Sequence, residues 1–112
     1  MFRTFYVHLF IYHLTFLKME NITTVQKEQI NTLKFFRNDV IVEKVLQRIR
    51  QFDLDRALIL GNIDHNKVAI IFKTEDGSLL QVKTTIWAVT DEYVCLKGGV
   101  NIPIKAIVDI EI

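Results

Sequence analysis

From Lys67 to Ile112 the chain is a succession of short apolar runs, each closed by a turn-forming group, and this stretch constrains the fold more than any other. Alternation of apolar and polar residues over such lengths is the mark of half-buried strands and excludes an all-helical protein. Val68, Ile70 and Phe72 share one face of a first run. Glu75-Asp76-Gly77-Ser78 then closes a hairpin, since glycine tolerates the positive φ of a tight turn. A long strand is predicted from Leu79 to Val89, with Leu80, Val82, Thr84, Ile86 and Ala88 on one face and Gln81, Lys83, Thr85 and Trp87 on the other. Trp87 breaks the pattern, being a large aromatic residue on the face that otherwise looks solvated. Either the strand bends or bulges and buries the indole beneath helices, which is the expectation, or Trp87 is exposed for binding.

Thr90-Asp91-Glu92 makes the next turn, Tyr93 to Lys97 the next strand, and Gly98-Gly99 the turn after it. A phosphate-cradling glycine loop should open a helix, and this pair leads into a strand, so it reads as a turn. Val100 to Ile104 is again a strand, and Pro103, which has no amide to donate, is confined to an edge or a break. Ala106 to Ile112 closes the chain, Val108, Ile110 and Ile112 alternating with Asp109 and Glu111.

Upstream, the periodicity is helical. Thr23 and Gln26 have capping-box spacing, and Val25, Ile30, Leu33 and Phe36 predict a helix from Val25 to Phe36. Arg37-Asn38-Asp39 supplies a break and a new N-cap. A second helix is predicted from Val40 to Phe52, burying Ile41, Val42, Val45, Leu46, Ile49 and Phe52 and turning Glu43, Lys44, Gln47, Arg48 and Arg50 outward. Lys44, Arg48 and Gln51 form a solvated polar stripe on it. Ala57-Leu58-Ile59-Leu60, ended by Gly61-Asn62, is then a first strand, and Asp64-His65-Asn66 a turn.

Residues 1–18 differ in character from everything after them, being aromatic and aliphatic with Arg3, His8 and His13 interspersed and no acidic residue. The histidines interrupt the apolar part and no small-residue cleavage site follows, which argues against a secretory signal. The segment is also too short and too polar for a membrane span. The expectation is that Met19 is the natural start, with an interfacial helix or membrane anchor as the alternative, and that residues 19–112 form a single domain.

The chain carries 14 basic and 13 acidic residues, a balance unlike that of a strong phosphate-backbone binder. Cys95 is the one cysteine. It cannot form an internal disulfide, fits a reducing, cytoplasmic setting, and reads as a small buried side chain. His65, beside Asp64, has no nucleophile placed near it. An enzyme would need a concave pocket joining His65 to carboxylates such as Asp91 or Glu92. No metal-ligand spacing, cofactor motif or catalytic constellation emerges.

The order helix, strand, DG turn, long strand, short strand, I-P-I-x-x-I, terminal strand resembles the small Sm-like and SH3-like barrels over about Leu46 to Ile112. Lys97-Gly98 is similar to the Arg-Gly of the second Sm motif, and Lys105 falls where the bacterial Sm-like RNA chaperone has the lysine of its Tyr-Lys-His signature. Ile104 and Ala106 replace the flanking tyrosine and histidine, so that chaperone's uridine site is not implied. A second similarity, to bacterial pleckstrin-homology-like domains, lacks the closing helix. As a whole the chain from Met19 resembles small uncharacterised bacterial proteins of the Bacteroidota type, sharing TTxWAxT (Thr84 to Thr90) and IPIxxI (Ile102 to Ile107), which implies a family and not an activity.

The sequence therefore predicts an α+β domain, two N-terminal helices packed on a bent antiparallel sheet or small SH3/Sm-like barrel of five or six strands. The expected function is a non-enzymatic binding or assembly module for a protein or a single-stranded nucleic acid, with homo-oligomers formed through strand edges. Trp87, Lys83, Lys97 and Lys105 are the candidate ligand-binding residues, the indole stacking a base and the amines meeting phosphates in the nucleic-acid case. The alternatives are a membrane-surface protein anchored by residues 1–18 and a small enzyme using His65. No catalytic residue, metal site or cofactor is assigned.

Overall fold

A computed structural model of the chain describes residues 22–112; the expectations for residues 1–18, including the start at Met19, lie outside them. The described residues form an α+β domain. Its strands are β1 (Thr23–Thr24), β2 (Val68–Lys73), β3 (Leu79–Thr84), β4 (Ile86–Val89), β5 (Tyr93–Leu96), β6 (Val100–Pro103) and β7 (Ile107–Glu111), and its one α-helix is α1 (Lys44–Asp64). Short 3-10 helices occupy Lys27–Thr32 and Ile104–Ala106. Two sheets result, one ordered β1-β3-β2-β7 and the other β4-β5-β6. All pairings are antiparallel except that of β1 with β3. The expected α+β class therefore holds, but the sheets do not close into a barrel.

The helical part departs from expectation in three ways. The helix predicted from Val25 to Phe36 is a six-residue 3-10 helix that follows β1. Thr23 is a strand residue, and the box is instead closed by Gln29, whose Oε1 accepts from the Gln26 amide at 2.9 Å. Val25 donates its amide to the β3 residue Gln81 (2.8 Å), and Phe36 donates to Lys73 (3.1 Å), so the segment is held against the larger sheet at both ends. This long-range backbone pairing outweighs a weak local helix preference.

Second, the supposed strand Ala57 to Leu60 is the interior of α1, which runs unbroken to Asp64. A short apolar run is ambiguous between strand and buried helix, and the helix face decides. Leu54, Ala57 and Gly61 fall at helical spacing and are buried. Gly61 does not end the helix; it lets it approach the sheet. A Cβ there would lie 2.9 Å from the Ile86 carbonyl oxygen and 3.0 Å from Thr85 Cγ2. The helix stops at His65, which takes the left-handed conformation (φ 55°) and returns its amide to Gly61 O at 3.0 Å.

Third, α1 is rotated relative to the predicted face. Ile41 and Ile49 are buried and Leu46 half-buried, but Val42, Val45 and Phe52 are exposed, and Arg50, expected in solvent, is 6% exposed.

The β-half follows the sequence closely. Val68, Ile70 and Phe72 do share the inner face, opposite Thr84, Val82 and Leu80 of β3. Together with Val94, Leu96, Ile102, Ile107 and Ile110 from both sheets, and with Ile30, Leu54 and Ala57, they make one core. Side chains of this size contribute about 1.5 to 3 kcal/mol each when buried. The Gly77 turn has its positive φ (89°), and Asp76 organises it by accepting from the Thr74 hydroxyl and from the Ser78 amide at 3.0 Å. Thr85 divides the predicted long strand, so its two halves enter different sheets. Pro103 ends β6, an edge strand, as its missing amide requires.

Candidate binding surface

The outward face of the β4-β5-β6 sheet can be built from its register. Val94 pairs with Val89 and Ile102, and Leu96 with Ile86 and Val100; these point inward. Cys95, with Ala88 and Asn101 opposite, and Tyr93, with Pro103 opposite, point outward. The β4–β5 register shifts between Ile86 and Ala88, so Trp87 is the extra residue of a bulge. A bulge turns two successive side chains to the same side. Trp87 and Ala88 accordingly both face solvent, and the indole is 51% exposed. The predicted bulge is present, then, but it does not bury Trp87, although α1 packs close by, bringing Gly61 to the Ile86 backbone. Cys95 is half-buried on this outward face and is a free thiol, not a core residue.

Tyr93, 45% exposed, joins this face to a cleft of about 430 Å³ lined among others by Asp39, Arg50, Asp91, Glu92 and Lys105. Several elements position the cleft. The 90–92 turn is fixed by Thr90, whose hydroxyl accepts from the Tyr93 amide (3.0 Å) and whose own amide donates to Tyr93 O (2.8 Å). Glu92 O accepts from the Ile104 amide at 2.9 Å, which ties that turn to the second 3-10 helix. On the far wall Arg50 donates both terminal nitrogens to Asp39 (2.8 Å each) and one also to Ile107 O (3.1 Å). Asp39, predicted to cap a helix, instead accepts from the Ile41 amide (2.8 Å) and pins the 39–41 loop. Val40 donates to Lys105 O at 2.9 Å and Gln47 to Ile41 O at 2.7 Å. Burial pushes the Asp39 carboxyl up, but the hydrogen bonds from Arg50 and the Ile41 amide, with the charges of Arg50 and Lys105, outweigh it and hold the pKa below the ordinary carboxylate value.

The four residues singled out from the sequence are all exposed, and Lys97, whose amide donates to Thr85 O at 3.0 Å, continues the β5 ladder beside the Trp87 bulge. Lys83 stands on the outer face of the larger sheet, opposite Ala69, which in turn pairs with Glu111. Lys97 is in the β5–β6 turn and Lys105 beyond the other end of β6. A four-residue strand separates these two lysines by about 13 Å of backbone. Lys27, which sequence reasoning passed over, lies beside the same turn as Lys97: its Nζ is 3.7 Å from where a Gly98 Cβ would be. Tyr93, Asp91 and Glu92 carry no binding motif in the sequence, and the one local signal is a tyrosine that follows two acidic turn residues.

His65 sits exposed at the end of α1 and is not among the residues lining the cleft that holds Asp91 and Glu92. Among the described residues no group of three or more histidine, cysteine, aspartate or glutamate side chains is placed to hold a metal, and no helix is long and apolar enough to cross a membrane.

Comparison with family models, with curated proteins and with solved structures found no match.

Proposed function

We propose that the chain is a non-enzymatic binding module whose ligand is a protein segment laid across the outward face of the β4-β5-β6 sheet. The observation that carries this reading is the exposure of Trp87 and Tyr93 on that one face. Two rigid amphipathic rings on a small sheet offer large contact area at little entropic cost, the composition typical of interface centres. Asp91 and Glu92 at the Tyr93 end favour a ligand with a basic side chain there and oppose a phosphate backbone. The dispersal of Lys83, Lys97 and Lys105 supports a protein over a single-stranded nucleic acid, which needs its cations along one track. The direct passage from β3 to β4 through the single residue Thr85 and the 3-10 helix before β7 support an open SH3- or Sm-like barrel as the framework. The lone free thiol suits a cytoplasmic setting.

A photo-crosslinking residue placed at Asn101, which is exposed on the same face, tests the proposal in cells. A discrete protein adduct, lost on Trp87→Ala or Tyr93→Ala, is the expected result. Filter binding of single-stranded RNA and DNA at low salt is the counter-test. Retention that Trp87→Ala abolishes would move the assignment to nucleic acid, and adducts unaffected by either substitution would move the site elsewhere.

A further inference from the structure

The outward face of β4-β5-β6 has two unlike ends. Tyr93, Cys95 and Lys97 succeed one another at every second residue along β5 and into the turn that follows it. Lys97 is exposed, and its amide, bonded to Thr85 O at 3.0 Å, keeps that row in register with the chain entering β4. A second cation stands at this end, for the Lys27 Nζ lies 3.7 Å from where a Gly98 Cβ would be. At the far end Tyr93 follows Asp91 and Glu92, both exposed and both on the wall of the adjoining cleft. The other charges of that cleft do not cancel these two acids. Asp39 and Arg50 neutralise each other in their bidentate pair, which leaves Asp91 and Glu92 against the single cation Lys105.

Between the two ends the floor is low. Ala88, Cys95 and Asn101 are small side chains in register with one another across the sheet. The exposed rings flank them, Trp87 towards the Lys97 end and Tyr93 at the acidic end. From Tyr93 to Lys97 the chain covers about 13 Å. An extended ligand has the same rise per residue, and its side chains i, i+2 and i+4 share a face. A segment with an acidic residue at i, an apolar one at i+2 and a basic one at i+4 therefore meets Lys97, the low floor between the rings, and the Asp91-Glu92 pair in turn.

We infer that the face takes a charge-polarised segment of another protein, in which an acidic and a basic side chain stand about four residues apart with an apolar residue between them. This rests on the assignment of the β4-β5-β6 face as a protein-binding surface, and adds the charge order of its ligand. A uniformly basic or uniformly acidic segment would be attracted at one end and repelled at the other. Both ends are exposed, so each ion pair contributes modestly and binding weakens as salt rises.

Panning a display library of random linear peptides of about nine residues, long enough to cross the face, on the full chain tests it. The expected pool is lost on Trp87→Ala and carries acidic and basic residues at the four-residue spacing. Lys97→Glu should turn the pool dibasic, and Asp91→Lys with Glu92→Lys should turn it diacidic. A synthetic peptide from the wild-type pool should bind the Lys97→Glu chain about five- to tenfold more weakly, and recover when its acidic residue is replaced by lysine. These variants change only exposed side chains, so circular dichroism should report unchanged folding. A Trp87-dependent pool without charge order, or one unaltered by both reversals, would overturn the inference and leave the face in place. A pool indifferent to Trp87→Ala, or no pool at all, would overturn the face and the inference with it. A chain that dimerises in sedimentation equilibrium and disperses on Trp87→Ala would give the face to a second copy, which also overturns it.

Discussion

Arg50 grips Asp39 with both terminal nitrogens at 2.8 Å, and because Arg50 also donates to Ile107 O, one guanidinium joins the 39–41 loop, α1 and β7. Its side chain is 5% exposed and that of Asp39 22%. Breaking a pair of this kind leaves a charge buried without a partner, at a cost of about 3 to 5 kcal/mol. Asp39→Ala should therefore lower the urea midpoint far more than an ordinary surface substitution. Asp39→Leu with Arg50→Met, which removes both charges, should recover much of the loss. A midpoint for Asp39→Ala within experimental error of the wild type would show that the pair does not hold the loop.

The same pair sets an acid dependence. The folded pKa of Asp39 is lowered, so its contribution to stability is complete above the unfolded value of about 3.9 and is lost as pH falls through the folded value. The urea midpoint should be nearly level from about pH 7 to 5 and fall below about pH 4. Asp39→Asn should flatten part of that fall. A remainder is expected from Asp76, whose carboxyl is also held low, by the Thr74 hydroxyl and then the Ser78 amide and hydroxyl.

Gly61→Ala separates local preference from packing. In an isolated helix the change would stabilise by up to about 1 kcal/mol. Here the new methyl meets a backbone carbonyl oxygen at 2.9 Å, which cannot rotate away. Overpacking costs about 1 to 3 kcal/mol. The expected outcome is a lower melting temperature in thermal unfolding followed by circular dichroism.

Trp87 and Phe72 make a contrasting pair. Phe72 is fully buried, its ring tilted against that of Phe35 with centroids 5.7 Å apart, so Phe72→Ala should cost about 3 to 5 kcal/mol. Trp87→Ala should cost about 1 kcal/mol or less, being a half-exposed position. The indole is the single tryptophan, so its emission should be red-shifted and open to quenching by iodide. Blue-shifted, protected emission in the full chain would put Trp87 back in the core.

The strands from Val68 onward were legible to within a residue or two because period-two alternation and turn chemistry are local signals. Gly77, Pro103 and the Val68-Ile70-Phe72 face needed nothing beyond the chain itself. The candidate surface was legible only in part. Trp87 stood out as an anomaly, yet its direction depended on a bulge in the pairing with β5, and Tyr93 gained meaning only from the cleft beside it.

What the sequence by itself determined is most of the β-half: which residues form strands and where they turn, though the bulge at Trp87 turns Ala88 outward and Thr85 is buried against the predicted alternation. Tertiary structure alone decided the helical half. Helix α1 carries apolar residues on two sides, and periodicity cannot say which of two stripes meets the sheet. The choice falls to shape and charge at a distance: Gly61 permits close approach to Ile86, Arg50 finds Asp39 and Ile107, and the stripe through Val45 and Ile59 is left facing outward.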